Sequence, residues 1–338
     1  MLVRQLIGRT LSGTVTMCAG PFRSVLNMLH RPQWETAMIA PLPAVDMRVI
    51  CAGHVNWDVT LHVDHLPKPD GEGRITDRSQ SSGGSASNAA VALAGLDADP
   101  LVLGSVGRDD HGTMARRELA ATGVETLLIE SDEATAVKYL IVDENGDVAV
   151  LGNDGANEAF NASDLPAETL AEADHLHLTG QNPTTAATLA RDAAAADVPV
   201  SFDPGRRLPY RDYSSVLSHA EILFCNDREA DHARDSGLFE TVPTVVVKHG
   251  DCGATAHIGD QTVTNAGYPI ESVDTAGAGD AFAAGYLLAS AQETDPERAL
   301  AVANACGALA AQSSGARTTL DWESVWELVD SGQPPETA

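Results

Sequence analysis

Between Val273 and Phe282 the chain reads Val-Asp-Thr-Ala-Gly-Ala-Gly-Asp-Ala-Phe, a run of small residues directly before an uninterrupted helical pattern. Residues without bulky side chains let several backbone N–H groups turn toward one point. The helix N-terminus behind them adds the positive end of its dipole. The run therefore describes an anion hole, suited to a terminal phosphate or to charge developing on one. Asp280 stands at its rim. A carboxylate gains nothing electrostatically from a neighbouring phosphate, so general-base work on an incoming hydroxyl is its natural role. The structural alternative is a Gly-rich turn with Asp280 capping the helix.

Other nucleotide loops are excluded. A Walker A loop needs Lys followed by Ser or Thr, whereas the three lysines, Lys68, Lys138 and Lys248, precede Pro69, Tyr139 and His249. No G-x-G-x-x-G opens the first strand–helix unit, which argues against a dinucleotide-binding fold. Composition removes further classes. With 21 Lys and Arg against 48 Asp and Glu, the net charge is −27 over 338 residues, the opposite of what a nucleic-acid backbone binder needs. No apolar run approaches the ~20 residues required to cross a bilayer. The five scattered cysteines form no disulfide framework and no metal-binding pair. These features predict a cytoplasmic protein, and the preference for carboxylates over lysines suits a salt-rich, halophilic cytoplasm.

The elements that must position the loop follow from periodicity. The first 46 residues carry four Arg against Glu35 and Asp46; they depart from the acidic pattern and are predicted to be a leader outside the domain. A domain is expected over 47–330 and a short tail over 331–338. Arg48 to Gly53 reads as a strand, and Val59 to Val63 alternates as a half-solvated one. Ala89 to Leu96 and Ala115 to Ala121 read as helices, with Leu101–Leu103 a short buried strand between them. Val137–Val142 and Val148–Leu151 flank an Asn-Gly turn, a hairpin signal. Downstream, strands at 175–178, 198–202, 222–224 and 245–247 follow one another, with a helix at 184–196. The last helices are expected at 281–290, 296–311 and 322–329. Such alternation builds right-handed βαβ units and a mostly parallel sheet. The early alternating strands, about 60–82 and 134–151, do not suit a buried sheet and predict a small separate lid.

On these residues the chain resembles the ribokinase-like PfkB family of carbohydrate and nucleoside kinases. Gly83-Gly84-Ser-Ala-Ser-Asn88 resembles the N-terminal signature of that family, and Asp274-Thr-Ala-Gly-Ala-Gly-Asp280 the C-terminal one. Val106-Gly-Arg-Asp-Asp-His-Gly112 resembles its V-G-x-D-x-x-G turn, and Asn226-Asp-Arg-Glu229 its N-x-x-E motif. The resemblance spans about Val49 to Gly315. It implies a three-layer αβα domain with a mostly parallel central sheet, plus a small β-sheet lid, and an ATP- and Mg²⁺-dependent transfer to a hydroxyl. It makes Asp280 the base and Gly277, Ala278 and Gly279 the hole for the transferred group. Asn226 and Glu229 become the pair that organises Mg²⁺, through water, as suits a hard cation. Lys248, Gly250 and Gly253 fall where the nucleotide loop runs, and Asn304 where a helix flanks the adenine. Asp274 and the carbonyl of Ala276 resemble a monovalent-cation site, suited to K⁺.

Substrate contacts are expected from Asn56 and Asp58, which offer partners for vicinal hydroxyls. Gly84 allows close backbone approach, and Asn88 can bind a hydroxyl or cap a helix. Ser85 stands where ribokinases commonly carry Lys. Asp203-Pro-Gly-Arg206-Arg207 resembles the D-x-N-x-R stretch of fructokinase relatives, with Gly205 in place of Asn. Arg207 could meet a nucleotide phosphate, a substrate carboxylate or a phosphate already on the sugar, or sit in a solvated turn. A free sugar is the first expectation. Nucleosides follow on the Gly-Gly-Ser-x-x-Asn pattern, and sugar phosphates such as ribose 1-phosphate on the Arg pair with Arg74, Arg78 and Lys138. A non-catalytic sugar-binding regulator is the alternative from a different class. An exposed lid sheet would offer a surface for a homodimer.

Overall fold

A computed structural model describes residues 46–331 except 146, 293–294 and 314–318; the predicted leader, apart from Asp46, and the tail after Ser331 lie outside the described residues. In chain order the elements are β1 (Arg48–Ala52), β2 (Asn56–Val63), β3 (Ile75–Gly83), α1 (Ser85–Gly95), β4 (Asp99–Gly107), α2 (Asp110–Ala121), β5 (Glu125–Ser131), β6 (Val137–Asp143) and β7 (Val148–Gly152). They continue with α3 (Ala167–Ala171), β8 (His175–Thr179), α4 (Pro183–Ala195), β9 (Val200–Asp203), α5 (Ser214–Leu217), β10 (Ile222–Asn226), α6 (Asp227–Asp235) and β11 (Thr244–Lys248). The chain closes with β12 (Ala254–Ile258), β13 (Gln261–Asn265), α7 (Ala278–Ala291), α8 (Pro296–Ala311) and α9 (Trp322–Ser331).

Nine strands form one sheet in the order β13-β12-β11-β10-β9-β8-β1-β4-β5. From β11 to β5 neighbouring strands are parallel, while β12 and β13 add antiparallel at one edge. Both faces are covered, so β1, β10 and β11 have continuous apolar middles, while the central β8 alternates the buried His175 and His177 with Leu176 and Leu178. In β1, Val49 and Cys51 enter the core beneath α1, α7 and α8, whereas Ile50 and Ala52 enter the opposite core with α4, α5 and α6. This is the three-layer arrangement expected. The Ala-rich composition of α1 and α7 has its reason here: eight residues of α1 and nine of α7 are buried, and small side chains let the two helices approach each other and the sheet.

The second sheet, β3-β2-β6-β7, holds four strands. It is mixed, because β2 and β6 run parallel while the outer pairs are antiparallel. It occupies the predicted lid segments and begins slightly earlier, at Asn56, so that Asn56 and Asp58 belong to it. Several boundaries move for local reasons. The helix expected at Ala115 starts at Asp110, because Asp109 accepts from Gly112 N at 2.8 Å and caps it. The strand expected at 101–103 runs on to Gly107, since Gly104 lets β4 pass close to Val55 and Gly53. The β12–β13 hairpin was legible in Ala-Thr-Ala-His-Ile-Gly-Asp-Gln-Thr-Val-Thr, whose Gly-Asp interrupts an alternating pattern; the reading above does not include it.

Candidate active site

The parallel strands all end at one edge, and the chemically capable residues gather there. Gly53 and His54 follow β1, Gln181 follows β8, Asp203 ends β9, Asn226 ends β10 and Lys248 ends β11. From β1 the chain proceeds outward through β4 and β5; from β8 it proceeds the other way through β9, β10 and β11. Ligands bind open α/β sheets at such a reversal, outside the carboxyl ends of the strands.

The small-residue loop becomes the N-terminus of α7. Gly277 adopts φ 78°, and its carbonyl accepts from Asp280 N and Ala281 N at 3.0 and 2.9 Å. That left-handed turn suits glycine and starts the helix without a side-chain cap, so capping is not the role of Asp280. The carboxyl of Asp280 instead accepts from Asn88 Nδ2 at 2.8 Å. Asn88 lies inside α1 rather than at its cap, and its reach to Asp280 joins two motifs 192 residues apart. Burial and then the neighbouring Asp203 raise the Asp280 carboxyl to about 7, against the pull of Asn88, Lys248 and Lys138.

Lys248 crosses from β11 to Asp203, with Nζ 2.6 Å from Oδ2. The other Asp203 oxygen accepts from Gly205 N at 3.1 Å. The ammonium lies directly under the helix turn: a Cβ on Gly279 would stand 3.2 Å from Nζ. Thus Lys248, grouped above with the nucleotide loop, lies beside the Gly279 turn. Asp203 was part of a quoted motif but was assigned no role; a buried acid facing one of only three lysines was the available signal.

Asn226 and Glu229 form a capping box on α6, with Glu229 N to Asn226 Oδ1 at 3.0 Å and Asn226 N to Glu229 Oε2 at 2.9 Å. Glu229 is buried, and burial followed by Asp203 raises its carboxyl above the usual range. Gly250 and Gly253 turn the chain between β11 and β12, and Gly253 packs on the backbone of Asn265–Gly267. Asn304 donates to Asn265 Oδ1 at 2.8 Å, and Gly267 N donates to the same oxygen at 3.0 Å. Gly250, Gly253 and Asn304 form a separate flank, in which Asn304 holds Asn265. Asp274 Oδ1 accepts from Ala276 N at 2.8 Å, a local turn ahead of α7.

On the lid side, Asn56 is fully buried and accepts from Asn157 Nδ2 at 2.7 Å. Asp58 is buried opposite Lys138 in the β2–β6 register. Gly84 has φ 100°, and a Cβ there would fall 2.3 Å from the His54 carbonyl oxygen. Gly84→Ala must therefore move backbone as well as adopt a disfavoured conformation. We expect it to destabilise by about 2 kcal/mol or more and to raise KM for the acceptor, read by thermal unfolding and steady-state kinetics. A variant with native Tm and KM would contradict this account.

Buried polar atoms concentrate here. Asn56 Nδ2, Asn88 Oδ1, Asn157 Oδ1, His54 Nε2 and both Gln181 side-chain atoms lack hydrogen bonds. Such atoms are costly without partners, and together they suit a ligand with many hydroxyls. Sequence reading missed His54, Asn157 and Gln181, which lie in no motif. Arg207, selected from sequence, is engaged by Asp154 at 2.6 Å and Glu158 at 3.5 Å; Arg211 reaches Glu158 at 2.6 Å. His175 and His177 share Ser201 Oγ at 2.8 Å each, and burial holds both rings neutral, at about 3 and 4. Among the described residues no helix is long and apolar enough to cross a membrane.

Comparison with known proteins identifies the family and the fold. The sequence profile described as pfkB family carbohydrate kinase matches residues 46–323. An ATP-dependent ribose-1-phosphate kinase of Halopiger xanaduensis is 52% identical over 279 residues, covering 80% of this chain and 94% of that protein. A Bacillus subtilis ribokinase is 30% identical, covering 80% and 95%. The crystal structure of a Thermotoga maritima ribokinase superposes with a TM-score of 0.75 at 23% identity, over 84% of this chain and 99% of that one.

Proposed function

The chain belongs to the pfkB family of carbohydrate kinases, and we propose that it transfers the terminal phosphoryl group of ATP to a hydroxyl of a pentose phosphate, ribose 1-phosphate. The observation that carries the transfer chemistry is the Asn88–Asp280 contact, 2.8 Å long, at the N-terminus of α7. The substrate assignment is supported by the 52% identity with the Halopiger xanaduensis enzyme and moves the third sequence-based option to first place.

Asp280 takes the proton of the acceptor hydroxyl as its oxygen attacks the terminal phosphorus, and ADP departs. Asn88 orients the carboxylate so that its free edge faces the hydroxyl. A carboxyl near 7 binds a proton far better than an ordinary one while still ionising at neutral pH. Gly277, Ala278 and Gly279 present the helix N-terminus to the transferred group, and Lys248 supplies full positive charge below it. Mg²⁺, when bound, neutralises the donor phosphates; Glu229 with Asn226 would hold it through water. Their fit is partial: the capping box engages one carboxylate oxygen of Glu229 and leaves the other. Asp274 and the Ala276 carbonyl would hold K⁺ beside the hole. Gly250, Gly253 and Asn304 border the adenine, Asn304 acting by fixing Asn265.

Asn56, Asp58, Gly84 and Asn88 hold the sugar hydroxyls beneath the lid. Lid closure excludes water that would otherwise accept the phosphoryl group. The exposed lid residues Ile75, Tyr139, Val148, Val150 and Leu151 are the surface through which two copies would pair.

A substrate panel in molar KCl with ATP and Mg²⁺ tests this reading. Ribose 1-phosphate should exceed ribose, fructose and nucleosides by about a hundredfold or more in kcat/KM, as a site built for a charged group allows. A higher value for a nucleoside or free ribose would replace the assignment.

A further inference from the structure

Within a strongly acidic chain, two arginines and a histidine converge on one carboxylate beside the proposed sugar pocket; burial lowers the His54 imidazole below its ordinary value, so it offers a neutral ring N–H rather than a charge. Arg211 reaches Glu158 Oε1 at 2.6 Å and Arg207 at 3.5 Å, Arg207 also pairing with the more exposed Asp154 at 2.6 Å, and His54 Nε2 lies 3.5 Å from the same Glu158 oxygen. The His54 side chain is nine-tenths buried and Nε2 makes no hydrogen bond. Asn56, fully buried, holds the residue before Glu158 and presents an Nδ2 donor that has no acceptor. Lys138, on the lid, acts electrostatically on both His54 and Asp280. The arginines flank Leu208 and Tyr213, which pack in the core on the face of the sheet opposite α1 and α7. The cluster and the Asn88–Asp280 pair therefore approach the pocket from opposite sides of the strand ends.

We propose that Arg207, Arg211, His54 and Lys138 form the subsite for the phosphate that the substrate already carries, with Glu158, and Asp154 on Arg207, the resident counter-ions that this phosphate displaces. The inference rests on the sugar-phosphate reading above and names the residues that enforce it. Glu158 is only partly buried, and against that desolvation His54 and the two arginines hold it down at about 2, which marks the place as one where negative charge is welcome. A dianionic phosphate offers more charge and more acceptor oxygens than one carboxylate, and guanidinium forks match it in pairs. A neutral sugar brings nothing to exchange for Glu158, so the arginines stay engaged. Placement opposite Asp280 puts the bound phosphate at the end of the sugar remote from the accepting hydroxyl, as in a 1-phosphate accepting at its 5-hydroxyl.

The test compares wild type with Arg207→Ala, Arg211→Ala and Glu158→Gln. Conservative Arg207→Lys and Arg211→Lys variants keep a charge on Glu158 in case truncation impairs folding. Each arginine truncation should lower the kcat/KM ratio of ribose 1-phosphate to ribose by about tenfold to a hundredfold, mainly through KM, the size of one lost charged hydrogen bond. Glu158→Gln should lower KM for ribose 1-phosphate and let inorganic phosphate raise Tm at lower concentration than in wild type. If wild type uses ribose 1-phosphate while folded arginine variants keep its KM within twofold, the subsite is overturned and the substrate reading stands. If wild type does not use ribose 1-phosphate, the substrate reading falls. The subsite is then judged on inorganic phosphate alone: a Tm shift lost in the arginine variants supports it, and no shift overturns it.

Discussion

Asp280→Asn is expected to lower turnover by about 10²- to 10⁴-fold, the range contributed by a positioned general base, with KM for both substrates nearly unchanged. The amide keeps an oxygen for Asn88 Nδ2, so the loss falls on proton transfer rather than on the geometry of α1 against α7. Two pH measurements separate this from general damage. With the carboxyl at about 7, wild-type kcat/KM should rise about tenfold per pH unit below that value and level off above it; the variant should lack that limb. The stability effect has the opposite sense. A carboxyl raised in the folded state makes ionisation costly there, so its contribution to stability is full below the ordinary 3.8 and declines as pH rises through about 7. The variant carries no such decline and should unfold at a higher temperature than wild type at pH 8, with the difference vanishing toward pH 4. Turnover within tenfold of wild type would remove Asp280 from the role of base.

The second large effect is expected at Lys248. Lys248→Met removes the cation from Asp203 and leaves a carboxylate whose side chain is 10% exposed without its counter-ion. Breaking one partner out of such a pair costs about 3 kcal/mol or more, and thermal unfolding should show a Tm lower by roughly 5 °C. This loss should appear throughout neutral pH. The Lys248 ammonium is raised above its ordinary 10.5, with Asp203 as the favourable cause outweighing burial, so its contribution is full below 10.5 and fades only on the alkaline side. Activity suffers separately, because the same ammonium underlies Gly279. We expect turnover to fall about a hundredfold or more, the scale for removing a donor from an oxyanion site. The base limb of Asp280 should also move to higher pH, since Lys248 opposes its protonation. An unshifted pH profile together with a native Tm would show that Lys248 serves neither Asp203 nor Asp280.

Much of the candidate site was legible because it is local. Asp274 to Asp280 and the helix after it form one continuous stretch, and backbone geometry at Gly277 turns that stretch into a helix N-terminus wherever the domain places it. The Gly83-Gly84 turn ahead of α1 is local in the same sense. The parallel sheet was legible because strands covered on both faces carry continuous apolar middles, as β1, β10 and β11 do. Asn226 and Glu229 show the limit of motif reading: their spacing also builds a capping box, and the structure shows both groups engaged in it.

What sequence could not supply are relations between distant segments. Asn88 offered two readings, a helix cap or a ligand contact; only the packing of α1 on α7 brings its amide to Asp280. Lys248 is separated from Asp203 by 45 residues, and their contact follows from β9, β10 and β11 lying side by side and ending together. His54, Asn157 and Gln181 carry no motif at all, because a polar residue at a strand end is common and becomes informative only when burial leaves its atoms unmatched. The amino-acid sequence alone determined the kinase family and the fold class and pointed to Asp280 as the proposed base, since these rest on local spacing and periodicity. Tertiary structure decided which charges share a pocket, because electrostatic coupling depends on distance and desolvation, and neither is written in the order of residues.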